Sequence, residues 1–235
     1  MDGDFAFIGV VMKNIFVSCE MPSTTETILN KYGNVIELPG HPNLPDAISS
    51  HPDAIITKIG SKFFALKDYM YIRDYMRDVT FTSEMPTKIY PYDALVNCFV
   101  IDDILFSGKN ISSCIKKYAS DQYMVHIVVN QGYTKCSTLV YKNNIITSDT
   151  GIYSKAKDNN INALLISPGH IRIKDYEYGF IGGACGVIDD NVVFFGKLKN
   201  HPDYYSIKEF LSDCGANIIE DDTYDLTDFG GIVVN

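Results

Sequence analysis

The chain has 235 residues, 46% of them hydrophobic, and a formal net charge of −9, a composition that can bury a globular core. The acid excess and the lack of a Lys/Arg run argue against a phosphate backbone as partner, so we expect no nucleic acid. The N-terminus begins with acids, and no stretch approaches the roughly 20 apolar residues that span a bilayer, so we expect no membrane partner. Six scattered cysteines without an export signal predict reduced thiols and a cytoplasmic location.

Five predicted β-hairpins follow one another along the chain. Each joins two short β-rich runs through turn residues such as Lys-Asn, Gly-Ser or Asp-Asp. The third and fifth are nearly the same string. In chain order the hairpins are VVMKNIFVSCE (10–20), AIITKIGSKFFALK (54–67), VIDDILFSGK (100–109), LVYKNNIITSDTG (139–151) and VIDDNVVFFGK (187–197).

A helix-like segment and one more apolar strand follow each hairpin. The predicted helices cover 23–33, 68–78, 111–120, 152–160 and 204–215, and the strands are NVIEL, VTFT, MVHIVV, ALLIS and NIIE. Ser23, with Glu26 three residues later, predicts a capping box. Gly33 and Gly215 suit positions just past the ends of helices.

These units predict one α/β domain over residues 1–235: five pseudo-symmetric ββαβ units, arranged as an α/β propeller around a central channel. The tail strand in DFGGIVVN is expected to pair into the first unit and remove its exposed edge. The main rival is a doubly wound sheet, which carries its ligand on a Gly-rich loop between a strand and a helix. Here the double glycines precede strands, which favours the five-unit arrangement.

The short segments that lead into the first strand of each hairpin, here called the leading segments, are the expected binding site. His51 and Asp53 precede one such strand, where they could bind a ligand or form a turn begun by proline. Asp93 and Asn97 offer a carboxylate and an amide to a polar ligand, or an Asx-turn after a proline. Gly182-Gly183 would let backbone N–H groups approach a ligand, or would turn the chain.

The densest group of candidates is Gln131, Tyr133, Lys135 and Cys136. A lysine beside a cysteine lowers the pKa of the thiol and can make it a nucleophile, so Cys136 is the candidate catalytic residue. The alternative is a surface loop with an ordinary buried thiol. The histidines lack HxH or HExxH spacing and no phosphate-binding glycine motif is present, so we expect no metal and no cofactor.

Five such units closed by a Gly-Gly tail strand resemble the pentein fold of the guanidino-group-modifying enzymes: arginine deiminases, dimethylarginine hydrolases and amidinotransferases. NQGYTKCS, IITSDTGIY, YGFIGGACG and KLKNHPDY are similar to an uncharacterised clostridial-type family of that fold, over about residues 40–235. The characterised enzymes carry a cysteine nucleophile a few residues after the C-terminal Gly-Gly. This chain ends in Gly230-Gly231-Ile232-Val233-Val234-Asn235, with no cysteine there. Its two His-x-Asp triplets, His51-Pro52-Asp53 and His201-Pro202-Asp203, do not match the enzymes' base.

Two hypotheses of different class follow. In the first, the protein is a hydrolase or transferase of a guanidino- or amidino-type small molecule, with Cys136 as a relocated nucleophile and Asp53 or Asp93 holding the positive charge. In the second, it is a catalytically inactive pentein that binds a small polar molecule, cationic or uncharged, or a protein partner. The oligomeric state is left open by the sequence.

Overall fold

The strands form five three-stranded sheets in the computed structural model, which describes residues 12–76 and 78–235. The first sheet joins β1 (Asn14–Ser18) and β2 (Asn34–Leu38) to the C-terminal β15 (Val233–Val234). The others are β3 (Ile56–Ile59), β4 (Lys62–Ala65) and β5 (Val79–Phe81); β6 (Cys98–Ile101), β7 (Ile104–Gly108) and β8 (Val125–Val129); β9 (Thr138–Tyr141), β10 (Asn144–Thr147) and β11 (Asn162–Leu165); β12 (Cys185–Ile188), β13 (Asn191–Phe194) and β14 (Asn217–Glu220).

Every sheet has the same internal order. A central strand pairs antiparallel with one neighbour and parallel with the other. This is a hairpin followed by a crossover to a third strand, which is the topology that a ββαβ unit requires. The predicted fold class, five repeated α/β units, is therefore confirmed.

The tail completes the first unit. β15 runs antiparallel to β1, with Val233 opposite Phe16 and Val234 opposite Ile15. The C-terminal strand thus occupies the position that the first hairpin strand has in the other four sheets, as predicted. The predicted strand residues Val10 and Val11 lie outside the described residues.

Helices connect the second and third strands in four units: α1 (Ser23–Leu29), α3 (Ser113–Asp121), α4 (Thr150–Asp158) and α5 (Tyr204–Asp213). A single turn, α2 (Pro52–Ile55), lies in a leading segment, and short 3-10 helices cover Asp46–Ile48, Met70–Asp74 and Leu198–Asn200. None of the helices in the described part of the chain is long and apolar enough to cross a membrane.

The helix predicted over 68–78 is wrong, since this segment forms only the 3-10 helix Met70–Asp74. Asp68 has a φ of 64°, which an α-helix does not accommodate. Tyr69 is buried and donates its hydroxyl to the Pro39 carbonyl at 2.6 Å. Tertiary contacts therefore override the helical pattern of this segment.

The residues predicted to cap the helix ends are partly confirmed. α1 has Pro22 at its N-cap and no side-chain cap, so the capping box predicted at Ser23 is wrong. The helix ends at Leu29, so Gly33 does not follow it directly; it instead allows close packing, because a Cβ there would lie 2.6 Å from the Lys13 carbonyl oxygen. Gly215 follows the Cys214 cap of α5 with a φ of 81°, as predicted.

The first strands of the five sheets, β3, β6, β9, β12 and β15, are here called the inner strands. β3 contacts both β6 and β15, and β9 contacts β12. A Cβ on Gly186 of β12 would lie 2.4 Å from the side chain of Ile232, so the glycine lets the tail pack closely against this strand. The leading segments, which precede the inner strands, are thereby brought together.

Candidate functional site

The centre of the site is a thiol beside a buried carboxylate. Cys136 Sγ lies 3.2 Å from Asp228 Oδ2, and both residues are buried. The backbone N–H of Phe180 donates to Asp228 Oδ2 at 2.9 Å, and the N–H of Gly230 donates to Oδ1 at 2.9 Å. Three leading segments therefore meet at one carboxylate.

Glycine makes this close approach possible. A Cβ on Gly183 would lie 2.0 Å from Asp228 Oδ1, and one on Gly182 would lie 2.3 Å from the Lys135 carbonyl oxygen. The N–H of Gly183 donates to the Cys136 carbonyl at 3.0 Å. The two glycines thus serve close packing, and the Gly183 N–H already has a protein partner.

Asn97 joins two other leading segments. Its Oδ1 accepts from the backbone N–H groups of Lys135 at 2.7 Å and Cys136 at 3.1 Å, and its Nδ2 donates to the Asp53 carbonyl at 3.1 Å. The side chain is fully buried. Asn97 therefore positions the backbone around Cys136 through both ends of its amide.

Asp53 is a buried carboxyl group with an unpaired oxygen. Its Oδ2 has no hydrogen-bond partner among the described residues. Burial raises the pKa of Asp53 to about 8, and the negative charge of Asp228 adds to this rise; the Lys135 charge and the nearby Cys136 thiol oppose it. At pH 7 Asp53 is therefore mostly protonated.

The thiol of Cys136 is held in its neutral form. Burial raises its pKa well above the usual value, and the carboxyls of Asp228 and Asp53 raise it further. The prediction that Lys135 lowers the pKa of this thiol is therefore wrong. The Lys135 ammonium instead lies 3.5 Å from the Thr138 carbonyl oxygen.

His51 packs against the tail near the same carboxylate. Its Nδ1 lies 3.7 Å from Asp228 Oδ1, and a Cβ on Gly230 would lie 2.2 Å from the His51 Cβ. Burial lowers the pKa of His51, and the nearby Asp228 charge only partly opposes that effect. His51 is therefore a neutral imidazole at pH 7.

Asp93, Tyr133 and Gln131 form a second polar group beside the thiol. The Tyr133 hydroxyl donates to Asp93 Oδ2 at 2.6 Å, and Gln131 Oε1 accepts from the Tyr133 N–H at 3.1 Å. Asp93 Oδ1 is buried without a partner in the described part of the chain. Burial raises the pKa of Asp93, and it also raises that of Tyr133, to which the bond with Asp93 contributes further.

Cys136, Asp228 and Tyr133 border a cavity of about 240 Å³, here called the first cavity. The rings of Tyr133 and Phe180 lie 6.5 Å apart, and those of Tyr178 and Phe180 lie 6.2 Å apart edge to face. The walls are Ile48, Tyr133, Ile173, Tyr176, Tyr178 and Phe180, and the polar lining is Cys136, Glu177 and Asp228. No group of three or more side chains suited to a metal ion occurs in residues 12–76 and 78–235.

The structure thus brings Asp53, Asn97, Lys135, Cys136 and Gly183 together, as the shared leading segments predict. Sequence reasoning missed Asp228, although the leading segment DFGG contains it. It also missed the aromatic wall, for which the run YEYGF (176–180) is a usable signal.

Solved structures with the same fold are guanidino-modifying enzymes. Dimethylarginine dimethylaminohydrolase from Pseudomonas aeruginosa, solved with citrulline, aligns with a TM-score of 0.56 at 12% identity over 90% of this chain and 92% of its own. An agmatine deiminase from C. jejuni aligns at 0.55 and 7% identity, over 90% and 87% of the two chains. An amidinotransferase of saxitoxin biosynthesis from Microseira wollei aligns at 0.54 and 10%, over 85% and 73%. This chain therefore has the pentein fold.

The sequence family of this chain is more specific than the fold that it shares with these enzymes. A sequence profile matches residues 16–233, nearly the whole chain, and the chain belongs to that family, a family of unknown function (DUF6873). No curated protein sequence matches it. Function must therefore be argued from the site.

Proposed function

We propose that the first cavity binds a small organic cation of the amidinium or guanidinium class. The observation that carries this proposal is the buried carboxylate of Asp228 at a cavity whose other walls are largely aromatic. A planar cation can pair with a carboxylate through two N–H groups and stack on aromatic faces at the same time.

Asp228 has room for this bond. An ionised carboxylate has about four acceptor positions. The described structure uses three, for the N–H groups of Phe180 and Gly230 and the thiol of Cys136. Glu177 lines the same cavity and adds a second negative charge near its exposed side. The names of the similar enzymes, which contain dimethylarginine and agmatine, agree with this class of ligand.

Calorimetric titration tests the proposal. The ligands are guanidinium, agmatine and arginine, with uncharged urea as control. We expect Asp228→Asn to weaken cation binding about tenfold or more, because a hydrogen bond to a charged group is worth roughly 1.5–3 kcal/mol. Asp225→Asn is the matched control. Asp225 lies three residues before Asp228, and its side chain is 43% exposed and pairs with the Arg172 guanidinium.

Binding that is unchanged in Asp228→Asn would contradict the proposal, as would equal affinity for urea. Far-UV circular dichroism shows whether each variant is folded, and Glu177→Gln gives an independent reading at an exposed position. We expect that variant to weaken binding less than Asp228→Asn does, because solvent screens an exposed charge.

A second candidate function is covalent chemistry at Cys136, favoured by the thiol on the cavity lining. A bound cation stabilises the thiolate and opposes the effect of Asp228. The thiol proton passes to Asp228, 3.2 Å away, as Sγ bonds to the amidinium carbon. The proton then passes to the departing amine as its C–N bond breaks, which leaves the amidinium carbon bonded to sulfur. Water adds to this carbon and the C–S bond breaks; one water proton restores the thiol, one is released, and the product leaves as an amide or, from a guanidinium, as a urea.

Thiol labelling separates the two candidates. Without ligand, we expect iodoacetamide to modify Cys136 more slowly than a free thiol at pH 7, because its pKa is raised. For an enzyme, a bound cation accelerates labelling and Cys136→Ser abolishes release of the amine. Binding without turnover, with labelling unchanged, assigns the protein to the inactive, ligand-binding class.

A further inference from the structure

A second cavity, of about 190 Å³, lies along the inner strands. Its apolar lining comes from four of the sheets or their flanking residues and includes Phe99, Val100, Val140 and Ile232. Val100, Val140 and Ile232 are half-buried, so solvent reaches the cavity. The polar lining includes Asp53 and Lys135, neither of which lines the first cavity.

Both of these polar groups lack a good partner. Asp53 is 5% exposed, and its Oδ2 has no hydrogen-bond partner among the described residues. The Lys135 ammonium is half-buried and reaches the Thr138 carbonyl at 3.5 Å, the outer limit of a hydrogen bond. A half-buried ammonium with one long hydrogen bond is stabilised by a further acceptor, so an anion beside Asp53 in this cavity would be stabilising.

We propose that the second cavity binds a short-chain monocarboxylate, with its carboxylate between Lys135 and Asp53 and its alkyl chain against the inner strands. The ligand's oxygens accept from the Lys135 ammonium and from the protonated Asp53 hydroxyl. The alkyl chain contacts Phe99, Val100 and Val140. This proposal does not rest on the cation site of the first cavity.

The charges favour an anion over a cation. A cation would have to ionise Asp53 next to the existing charge of Asp228 and would also lie beside the Lys135 ammonium. An anion leaves Asp53 protonated and supplies a counter-charge for Lys135, which forms no salt bridge within residues 12–76 and 78–235. Lys58 also lines the cavity, but its ammonium is exposed and donates to the Val234 carbonyl at 3.1 Å.

The volume limits the length of the chain. A comparable apolar cavity of about 150 Å³ holds benzene, which has six non-hydrogen atoms. A cavity of about 190 Å³ therefore holds a monocarboxylate of about six non-hydrogen atoms, such as butyrate, and also the smaller acetate and propionate. Each additional buried CH₂ should strengthen binding, by up to about fourfold.

The test is a methyl NMR titration of the whole protein with acetate, propionate and butyrate. We expect saturable shifts of the Val100 and Val140 methyl groups, with affinity rising along the series. The Ile48 and Ile173 methyl groups of the first cavity should not shift. Butyramide tests whether a charge is needed, butylamine tests the sign of the charge, and inorganic phosphate tests the alkyl chain. Each should bind more weakly than butyrate.

Variants test the two polar contacts. Lys135→Met should weaken butyrate binding about tenfold or more, as expected for a charge-assisted hydrogen bond. Lys58→Met, the matched control, should change it by less than about threefold. Asp53→Asn keeps a donor and should retain binding, whereas Asp53→Leu should lose it.

The proposal is overturned by the absence of a saturable shift with butyrate, or by shifts confined to the first cavity. Equal binding of butyramide, or an unchanged affinity in folded Lys135→Met, also overturns it. If Lys135→Met does not fold, the comparison of butyrate with butyramide decides by itself. Cation titration reports on the first cavity separately, so failure of either proposal can be told from failure of the other.

Discussion

Two buried aspartates at the centre of this molecule differ in their hydrogen bonds. Asp228 is 2% exposed and Asp53 is 5% exposed, so water is excluded from both almost equally. Asp228 receives two backbone N–H bonds and a thiol, whereas Asp53 Oδ2 has no partner among the described residues. Fixed donors stabilise a buried carboxylate, and without them burial favours the protonated acid. The donors, and not the burial, therefore distinguish the two residues.

The largest effect should come from removing the well-bonded carboxylate. Asp228→Ala leaves the N–H groups of Phe180 and Gly230 without their acceptor, so we expect a loss of about 3–5 kcal/mol in the free energy of unfolding. Urea denaturation at pH 7 measures it. Asp225→Ala, at an exposed ion pair, should lose less than about 1 kcal/mol. A loss of similar size in both variants would contradict the special role of the Asp228 donors.

A smaller effect should come from crowding the same carboxylate. Gly183→Ala places a methyl group 2.0 Å from Asp228 Oδ1 and must displace the carboxylate from its donors. We expect a loss of about 1–3 kcal/mol, as for other overpacked sites. Gly151→Ala in α4 is the control, since its nearest neighbour is the Asp149 side chain at 3.1 Å and alanine favours the helix. Thermal denaturation of both variants decides the comparison.

The most conservative substitution, Asp53→Asn, tests the other aspartate of the pair. Its pKa rises from the usual value near 4 to about 8 in the folded protein, so the folded state holds a proton that the unfolded state has released. The stability that this group contributes is full below about pH 4 and falls by up to about 1.4 kcal/mol per pH unit until about pH 8. Asp53→Asn cannot titrate, so its stability relative to the wild type should rise over this range.

Urea denaturation of the wild type and of Asp53→Asn at pH 5, 6, 7 and 8 measures this slope. A constant difference between the wild type and Asp53→Asn across the range would mean that Asp53 is ionised in the folded protein, and the contrast with Asp228 would then disappear.

Much of the fold was predictable because its signals are local. The hairpin strands of β6–β7 and β12–β13 follow from β-rich runs around polar turns, which short-range sterics favour. The tail strand was predictable from the apolar run after Gly230-Gly231 and from the exposed edge that it would cover in the first unit. The helix over 68–78 was not, because the left-handed Asp68 and the buried Tyr69 are fixed by contacts with distant parts of the chain.

The site was predictable in part for the same reason. Repetition of the unit places Asp53, Asn97, Cys136 and Gly183 in equivalent leading segments, so their proximity follows from the sequence. The sign of the Cys136 pKa shift does not follow from the sequence. It depends on burial and on Asp228, 92 residues away, which outweigh the adjacent Lys135.

By itself the sequence determined the repeated unit, the pairing of the tail with β1 and the set of segments that meet at the centre, because these depend on periodicity and turn residues within short stretches. Tertiary structure alone decided which buried carboxyl receives donors, which groups line each cavity and how each group is protonated. Desolvation and charge–charge interactions depend on distances in space, and those distances exist only once the five sheets have assembled.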